Sequence, residues 1–265
     1  MRNLGSRDYS ALDRPDIISA VFYPRPDLAL APSEGSQDLH IPVEEGVSLM
    51  ARVHQGPAQG ANIIFFHGNG EIVSDYDQLG PMYTQMGLTF IPVDYRGYGQ
   101  SSGSPGISSM IRDSHTVCDF IRAWLHDEGH TGPLIVMGRS LGSAPALELA
   151  AGRQNEIQAL IVESGFAYTM PLLRLLGIDV QDIGLDEGAG MDNLDKMAKV
   201  SLPSLIIHAQ QDHIIPLSDA QALYEACPAK DKNLLKIPHA NHNDILIRDL
   251  NMYMNAIRGL ADKVM

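Results

Sequence analysis

Cysteine and basic residues are scarce in this sequence of 265 residues. Its two cysteines, Cys118 and Cys227, are too few for a disulfide framework, and both fall in stretches of helical character, which predicts buried free thiols. The 19 lysines and arginines are outnumbered by 32 aspartates and glutamates, so the formal charge is −13. That charge repels phosphate backbones and anionic lipid surfaces, so nucleic-acid binding is disfavoured.

Long apolar runs are also lacking. The strongest runs, such as residues 63–66 and 134–137, fall far below the roughly 18 residues that a membrane-spanning helix needs. The first thirty residues carry Asp8, Asp13 and Asp16 and have no apolar core of signal-peptide type. The sequence therefore predicts a cytoplasmic protein without a stable membrane anchor.

What the sequence does contain is a regular alternation of apolar patterns. Two predicted strands, 38–43 and 47–53, flank a turn at 44–46, and from residue 61 onward short apolar runs alternate with segments of helical period. Short continuous apolar runs suit strands that are buried on both faces of a parallel sheet. The runs are 61–66, 88–94, 134–138, 157–162, 204–208 and 233–237.

A hairpin followed by repeated strand-helix units predicts an α/β fold, a three-layer sandwich whose central sheet is mostly parallel after an N-terminal antiparallel hairpin. In such a sheet the ligand site is expected at the carboxyl ends of the strands. We expect residues 1–36 to form an N-terminal arm and residues 37–265 to form one domain.

One segment does not fit this alternation. About forty residues separate Val162 from Ser204, which is too many for a simple crossover. We interpret residues 165–200 as a short cap over the strand ends, the alternative being a crossover helix with a surface loop. Within it Lys196 is the only base between Asp179 and Lys199, and we expect the acidic cap to disfavour anionic substrates and to speed release of a carboxylate product. Its carboxylates are Asp179, Asp182, Asp186, Glu187, Asp192 and Asp195.

Two segments match the pattern G-x-S-x-G, which marks a nucleophilic serine on a sharp strand-to-helix turn. The pattern at 138–142 places Ser140 between the apolar run 134–137 and a helix-prone segment. The pattern at 99–103 places Ser101 in a glycine-rich loop that has no helix after it. The context therefore favours Ser140 as the nucleophile.

A serine hydroxyl needs a base, and the base needs a carboxylate to orient it. In hydrolases with this serine turn the order along the chain is Ser, acid, His, on successive strand-end loops. Asp212 and His242 satisfy that order and follow two of the predicted strands. They are the predicted acid and base.

Other residues compete for both roles. His239 directly follows a strand end, and His213 adjoins Asp212. Glu163 ends the preceding strand, where some hydrolases place their acid, and Asp244 lies beside the predicted base. These alternatives stay open from the sequence alone.

The oxyanion of the tetrahedral intermediate needs backbone donors that are already in place before the reaction. One is expected to be the N–H of Leu141, directly after the nucleophile at a helix N-terminus. The other is expected from the loop after the first parallel strand, where Gly68 and Gly70 let the amide of Asn69 face the site.

Taken together, these segments resemble the α/β-hydrolase serine hydrolases, and most closely the bud-emergence-homologue branch that includes the abhydrolase-domain depalmitoylases. The resemblance spans about residues 38–260. It rests on these segments, in this order: His67-Gly68-Asn69-Gly70, Asp94-Tyr95-Arg96-Gly97-Tyr98-Gly99, Gly138-Arg139-Ser140-Leu141-Gly142-Ser143, Glu163-Ser164, Asp212 with Ile214-Ile215-Pro216, and Asn241-His242-Asn243-Asp244.

The resemblance implies cofactor-free and metal-free hydrolysis of a small-molecule acyl ester or thioester, with Ser140, Asp212 and His242 as the triad. It also implies that residues 96–99 form a structural loop. Membrane-bound members of the group carry an N-terminal cysteine cluster, whereas no cysteine precedes Cys118 here. Two alternatives remain: a small-peptide hydrolase or acyltransferase with the same triad, and a non-catalytic protein that binds a small ligand.

Overall fold

A computed structural model of the chain describes residues 8–28, 34–186 and 189–265. Eight strands form one sheet in the order β1-β2-β4-β3-β5-β6-β7-β8. The hairpin of β1 and β2 is antiparallel, β2 joins β4 antiparallel, and every later pair is parallel. The strands are β1 (Ser36–Glu44), β2 (Val47–His54), β3 (Asn62–Phe66), β4 (Thr89–Val93), β5 (Leu134–Arg139), β6 (Ala159–Glu163), β7 (Ser204–Ala209) and β8 (Lys232–Ile237).

Helices cover both faces of this sheet. They are α1 (Pro15–Val21), α2 (Gly80–Gln85), α3 (Ile107–Asp127), α4 (Ser143–Gly152), α5 (Thr169–Leu175), α6 (Asn193–Met197), α7 (Leu217–Ala226) and α8 (Ile245–Val264). Helices α2 and α8 pack on one face, and the other helices that contact the sheet directly, α3, α4 and α7, lie on the opposite face. The predicted three-layer α/β sandwich is confirmed.

The central strands are apolar throughout because successive side chains enter opposite layers. In β3, Ile63 and Phe65 belong to the core under α2 and α8, whereas Ile64 and Phe66 belong to the core under the other helices. The apolar stripes that the sequence shows at helical spacing form the buried faces of α3 and α8. The sequence did not indicate the short helix α2.

Both cysteines are buried and free, as expected. Cys118 lies inside α3, and burial raises the pKa of its thiol to about 11. Cys227 closes α7 and its thiol donates to the carbonyl of Val200. Both thiols are therefore parts of the hydrophobic core.

The segments predicted to form the N-terminal arm and the cap meet beside the carboxyl ends of the strands. Of residues 1–36, positions 1–7 and 29–33 lie outside the described residues, and within the rest Leu12, Ile17 and Phe22 are buried in the core. The segment between β6 and β7 contains two short helices, α5 and α6, and α1 packs against α5. The arm thereby contributes to the same end of the molecule as the cap.

Candidate active site

The turn that carries Ser140 is sharp and strained. Strand β5 ends at Arg139, and a 3-10 turn over Ser140–Gly142 leads directly into α4. Ser140 has a φ of 50°, in the left-handed region that side-chain-bearing residues rarely occupy. Such strain persists only where the surrounding structure enforces it, and it is typical of functional turns.

The two glycines of the motif make this turn possible. A Cβ on Gly138 would lie 2.1 Å from the carbonyl oxygen of Gly142, and one on Gly142 would lie 2.0 Å from the carbonyl oxygen of Phe66. Neither position tolerates a side chain. Pro145 is harmless because it is the third residue of α4, where a backbone N–H has no partner within the helix.

The structure brings the three predicted residues together. His242 Nε2 lies 3.0 Å from Ser140 Oγ, and His242 Nδ1 lies 2.7 Å from Asp212 Oδ2. A carboxylate can only accept, so Nδ1 carries the proton and donates it to Asp212. The lone pair of Nε2 then faces the serine hydroxyl, which is the orientation that a general base requires.

Asp212 is held in place by its own loop. Its Oδ1 accepts the backbone N–H groups of Ile214 and Ile215, each at 2.9 Å, and its side chain is fully buried. Burial raises the pKa of Asp212. The hydrogen bond and charge of His242 and the two backbone amides lower that pKa by more than burial raises it. The net pKa lies below its usual range, so the carboxylate is charged at neutral pH.

His208 contacts this carboxylate, although the sequence analysis placed it only within a predicted strand. Its Nε2 lies 3.5 Å from Asp212 Oδ2 and donates to the carbonyl of Ile215 at 2.9 Å. Burial lowers the pKa of His208. The ring is therefore neutral at pH 7 and braces the loop without neutralising Asp212.

The rival serine and histidines have other positions. Ser101 Oγ accepts the backbone N–H of Met50 at 2.8 Å, so its hydroxyl ties the glycine-rich loop to β2. His239 and His213 are both exposed, and His242 alone bridges Ser140 and Asp212 among the described residues.

The rival acids are also committed elsewhere. Glu163 accepts from Arg139 at 3.1 Å and from the hydroxyl of Tyr253 at 2.6 Å. Asp244 accepts the N–H of Asn241 and pairs with Arg248. Neither carboxylate is the hydrogen-bond partner of His242.

Leu141 and Asn69 line the same cavity as Ser140 and His242. Leu141 follows Ser140 in the turn that opens α4. The side chain of Asn69 is fixed by the arm, because its Oδ1 accepts the N–H of Tyr23 at 2.7 Å and the hydroxyl of Tyr98 at 2.6 Å. Both residues predicted to supply oxyanion donors therefore line the cavity beside the serine, and Tyr23 of the arm holds the side chain of one of them.

The cavity beside Ser140 has a volume of about 220 Å³ and mostly apolar walls. Its apolar side chains come from four separate parts of the chain: Val21 at the end of α1, Leu141, Leu172 and Leu176 at α5, and Ile214 after β7. Part of this wall was not foreseen, because nothing in the sequence connected the arm to the site.

The acidic cap is only partly as expected. Asp179, Asp182, Asp186 and Asp195 are exposed, whereas Glu187 lies outside the described residues. Lys196 is buried and pairs with Glu148 of α4 at 2.8 Å. Its charge is thus buried against α4 and does not lie at the surface beside the four exposed carboxylates.

Within residues 8–28, 34–186 and 189–265, no group of three or more His, Cys, Asp or Glu side chains could hold a metal ion.

Comparison with known proteins identifies the family. Residues 57–177 and 187–248 match the family model described as Serine aminopeptidase, S33. The chain is 26% identical over 200 residues to the protein bem46 of Schizosaccharomyces pombe, covering 74% of this chain and 66% of that protein. It is 32% identical over 198 residues to the alpha/beta hydrolase domain-containing protein 17C of Xenopus tropicalis, covering 73% of this chain and 59% of that protein.

Solved structures share the fold. The Pyrococcus furiosus esterase Pf2001 superimposes with a TM-score of 0.74 at 16% identity, covering 92% of this chain and 99% of that one. A soluble variant of the monoglyceride lipase of Saccharomyces cerevisiae superimposes with a TM-score of 0.67 at 18% identity, covering 92% and 99%.

The prediction of a cytoplasmic protein, which was based on composition and the lack of long apolar runs, is wrong. A Saccharomyces cerevisiae relative, 31% identical over 175 residues that cover 63% of this chain and 59% of that protein, is described as an uncharacterized membrane protein. In the described part of the chain, no helix is both long and apolar enough to cross a bilayer. Short apolar runs therefore do not assign a compartment in this branch.

The three curated relatives are longer, and the chain spans 59% to 66% of their lengths. The matched family segments nevertheless cover more than half of the chain and include all three residues of the serine, histidine and aspartate cluster. The protein belongs to the serine aminopeptidase S33 family of α/β-hydrolases, in the branch of bem46 and the 17C proteins that its motifs predicted.

Proposed function

We propose that the protein hydrolyses carboxylic esters or thioesters of small apolar acyl groups through a covalent acyl-enzyme on Ser140. The observation that carries this proposal is the hydrogen-bonded series from Ser140 Oγ through His242 to Asp212, with distances of 3.0 Å and 2.7 Å. A buried, charged Asp212 and a strained Ser140 beside an apolar cavity support this proposal, because both features are typical of functional sites.

In the first step Ser140 Oγ attacks the acyl carbonyl carbon while His242 Nε2 takes the hydroxyl proton. Asp212 stabilises the imidazolium and keeps the ring in its productive tautomer. The carbonyl oxygen becomes an oxyanion that the backbone N–H groups of Leu141 and Asn69 stabilise, with each donor contributing about 10²- to 10³-fold to the rate.

Collapse of this intermediate breaks the bond to the alcohol or thiol, which leaves with the proton from His242. Water then attacks the acyl-enzyme while His242 takes its proton. The second tetrahedral intermediate releases the carboxylic acid and returns the proton to Ser140, so the step uses no cofactor.

The cavity indicates the size and character of the acyl group. Apolar side chains from the arm, the cap and the loop after β7 line its volume of about 220 Å³. This space suits a short or medium unbranched acyl chain.

The test is a panel of p-nitrophenyl esters from acetate to palmitate, matched thioesters, and an aminoacyl p-nitroanilide. We expect Ser140→Ala to lower kcat about 10⁶-fold and the wild type to prefer chains below palmitate. Ser101→Ala, the same change in the second G-x-S-x-G segment, is the matched control and is expected to retain activity within about 3-fold, because Ser101 only holds a loop.

Two outcomes would refute the proposal. Equal ester turnover by wild type and Ser140→Ala would refute the proposed enzymatic activity. Fluorophosphonate labelling of Ser101 instead of Ser140 would refute Ser140 as the nucleophile. Faster turnover of the anilide than of every ester would favour a peptidase with the same residues.

A further inference from the structure

The side chain of Arg139 connects three segments of the site, although the sequence motif assigns it only the variable position before the serine. Its Nε donates to Glu163 Oε1 at 3.1 Å, and its Nη1 pairs with Glu71 Oε1. Its Nη2 donates to the carbonyl of His242 at 3.0 Å and to Asn243 Oδ1 at 3.3 Å. All three guanidinium nitrogens are therefore engaged.

Through Glu71 the guanidinium reaches the oxyanion loop. Glu71 Oε2 accepts the backbone N–H of Gly68 at 2.6 Å and the hydroxyl of Tyr76 at 2.6 Å. The loop packs directly on this pair, since a Cβ on Gly68 would lie 2.5 Å from Arg139 Nη1. Displacement of the Arg139–Glu71 pair would thus move the residue that precedes Asn69.

Through the carbonyl of His242 the guanidinium reaches the base. Asp212 fixes the imidazole ring at Nδ1, but the ring position also depends on where the backbone of residue 242 lies. The side chain of Arg139 donates a hydrogen bond to that backbone carbonyl, and Arg139 directly precedes Ser140 in the chain. Its hydrogen bonds therefore link the nucleophile turn to the base loop.

The electrostatics keep Arg139 charged and in place. Burial lowers the pKa of Arg139, but the charges of Glu71 and Glu163 raise it above its usual value. A planar guanidinium can donate in several fixed directions at once, whereas an ammonium group is a single compact charge. Lysine at this position could keep the charge but could not span all of these partners.

On the basis of the proposed function, we propose that Arg139 is a positioning residue that sets the spacing between Ser140, the oxyanion loop and His242. Arg139 does not touch the reacting atoms. It acts through Glu71 and through the carbonyl of His242, so its loss reduces the rate of the chemical step more than it reduces substrate binding.

The experiment compares the wild type, Arg139→Lys, Glu71→Gln and Ser140→Ala with a p-nitrophenyl ester. For the variants that keep Ser140, rates are normalised to the fraction of protein that a fluorophosphonate labels at completion, and the Ser140→Ala rate is given per total protein. We expect Arg139→Lys to lower kcat about 10- to 100-fold, in line with the ~10²-fold cost of a 1 Å misplacement, with KM changed by less than about 3-fold. Arg258→Lys is the matched control, because Arg258 forms an exposed pair with Asp262 on α8.

Glu71→Gln keeps the proposal testable if Arg139→Lys fails to fold. Arg139 and Gly68 donate to different oxygens of Glu71. Glutamine replaces one of these oxygens with an NH₂ donor, so one of the two contacts is lost. We expect a kcat loss of about 10-fold with little change in KM, on the same positioning argument.

The outcomes separate this inference from the function on which it rests. If Ser140→Ala equals the wild type, the proposed function fails. The positioning role fails if Ser140→Ala is inactive but the folded Arg139→Lys and Glu71→Gln variants keep kcat per labelled site within about 2-fold. It fails as well if these two variants raise KM without lowering kcat.

Discussion

The floor and the roof of the site are built differently. The floor comprises the strand-end side chains Arg139, Glu163, Asp212 and His242, all with side chains at most 12% exposed and each with a charged or hydrogen-bonded partner. The roof comprises the N-terminal arm with the cap, where Leu175 is 55% and Leu176 38% exposed at the end of a seven-residue helix.

This difference divides the work of the site. A buried polar group that loses its partner is costly, so we expect the floor to keep one arrangement and, under the proposed function, to fix the reacting atoms. The roof presents apolar walls, whose attraction for a ligand depends on the apolar area buried and has no preferred direction. Changes in the floor should therefore reduce kcat, and changes in the roof should shift the choice of substrate.

The largest effect expected in testing this contrast comes from Asp212→Asn. The amide favours the wrong tautomer of His242, and the analogous change in the serine-protease triad lowers kcat about 10⁴-fold. We expect a drop of about 10³- to 10⁴-fold with a small change in KM, measured by steady-state kinetics.

The same variant also tests the charge state of Asp212. Its folded-state pKa is lowered, so its charge stabilises the fold above the unfolded pKa of about 3.9, and this stability is lost as the pH falls through the folded pKa. The deficit in Tm of Asp212→Asn should be largest above about pH 5 and should shrink on acidification. A constant deficit at all pH values would contradict a charged, stabilising Asp212.

A smaller effect is expected in the roof from Leu176→Ala. Each methylene buried on binding is worth about 0.8 kcal/mol, or roughly 4-fold, so the ratio of kcat/KM for octanoate to that for acetate should fall about 4- to 10-fold. The kcat for acetate should be unchanged.

Leu175→Ala is its matched control, because Leu175 is the neighbouring leucine of α5 but does not line the cavity. The two variants should differ only in the octanoate ratio. Identical ratios would show that Leu176 does not form part of the acyl wall.

The smallest effect is expected from the charge of the cap. Removing three exposed carboxylates in Asp179→Asn/Asp182→Asn/Asp186→Asn should raise turnover of an anionic ester relative to a neutral one by about 2-fold at low salt, and the gain should vanish at high salt.

The control removes the same net charge at the opposite edge of the sheet, in Asp127→Asn/Asp231→Asn/Asp262→Asn. Equal ratios in both triple variants would assign the effect to total charge and not to the cap.

Much of the fold could be predicted from the sequence because its signals are local. A run such as 134–137 with a glycine after it specifies a buried strand, and the stripe from Ile107 to Leu125 specifies a helix whose apolar face meets the sheet. Helix α2 was not predicted, because its six residues begin with glycine and proline and are too few to show a helical period.

For the site, chain order and strand-end position were enough to select Ser140, Asp212 and His242. The sequence favoured Asp212 but left Glu163, which ends the preceding strand, open as an alternative acid. The structure separates them, because Glu163 is engaged by Arg139 and Tyr253, residues 24 and 90 positions away.

The sequence by itself determined the alternation of strands and helices, the strained serine turn between its two glycines, and the three residues predicted to form the triad. Only the tertiary structure decided what surrounds them: Arg139 between the oxyanion and base loops, Val21 in the cavity wall, and Lys196 buried against Glu148. The reason is physical. Periodicity and turn chemistry act between neighbours along the chain, whereas these contacts join residues whose proximity exists only once the sheet has formed.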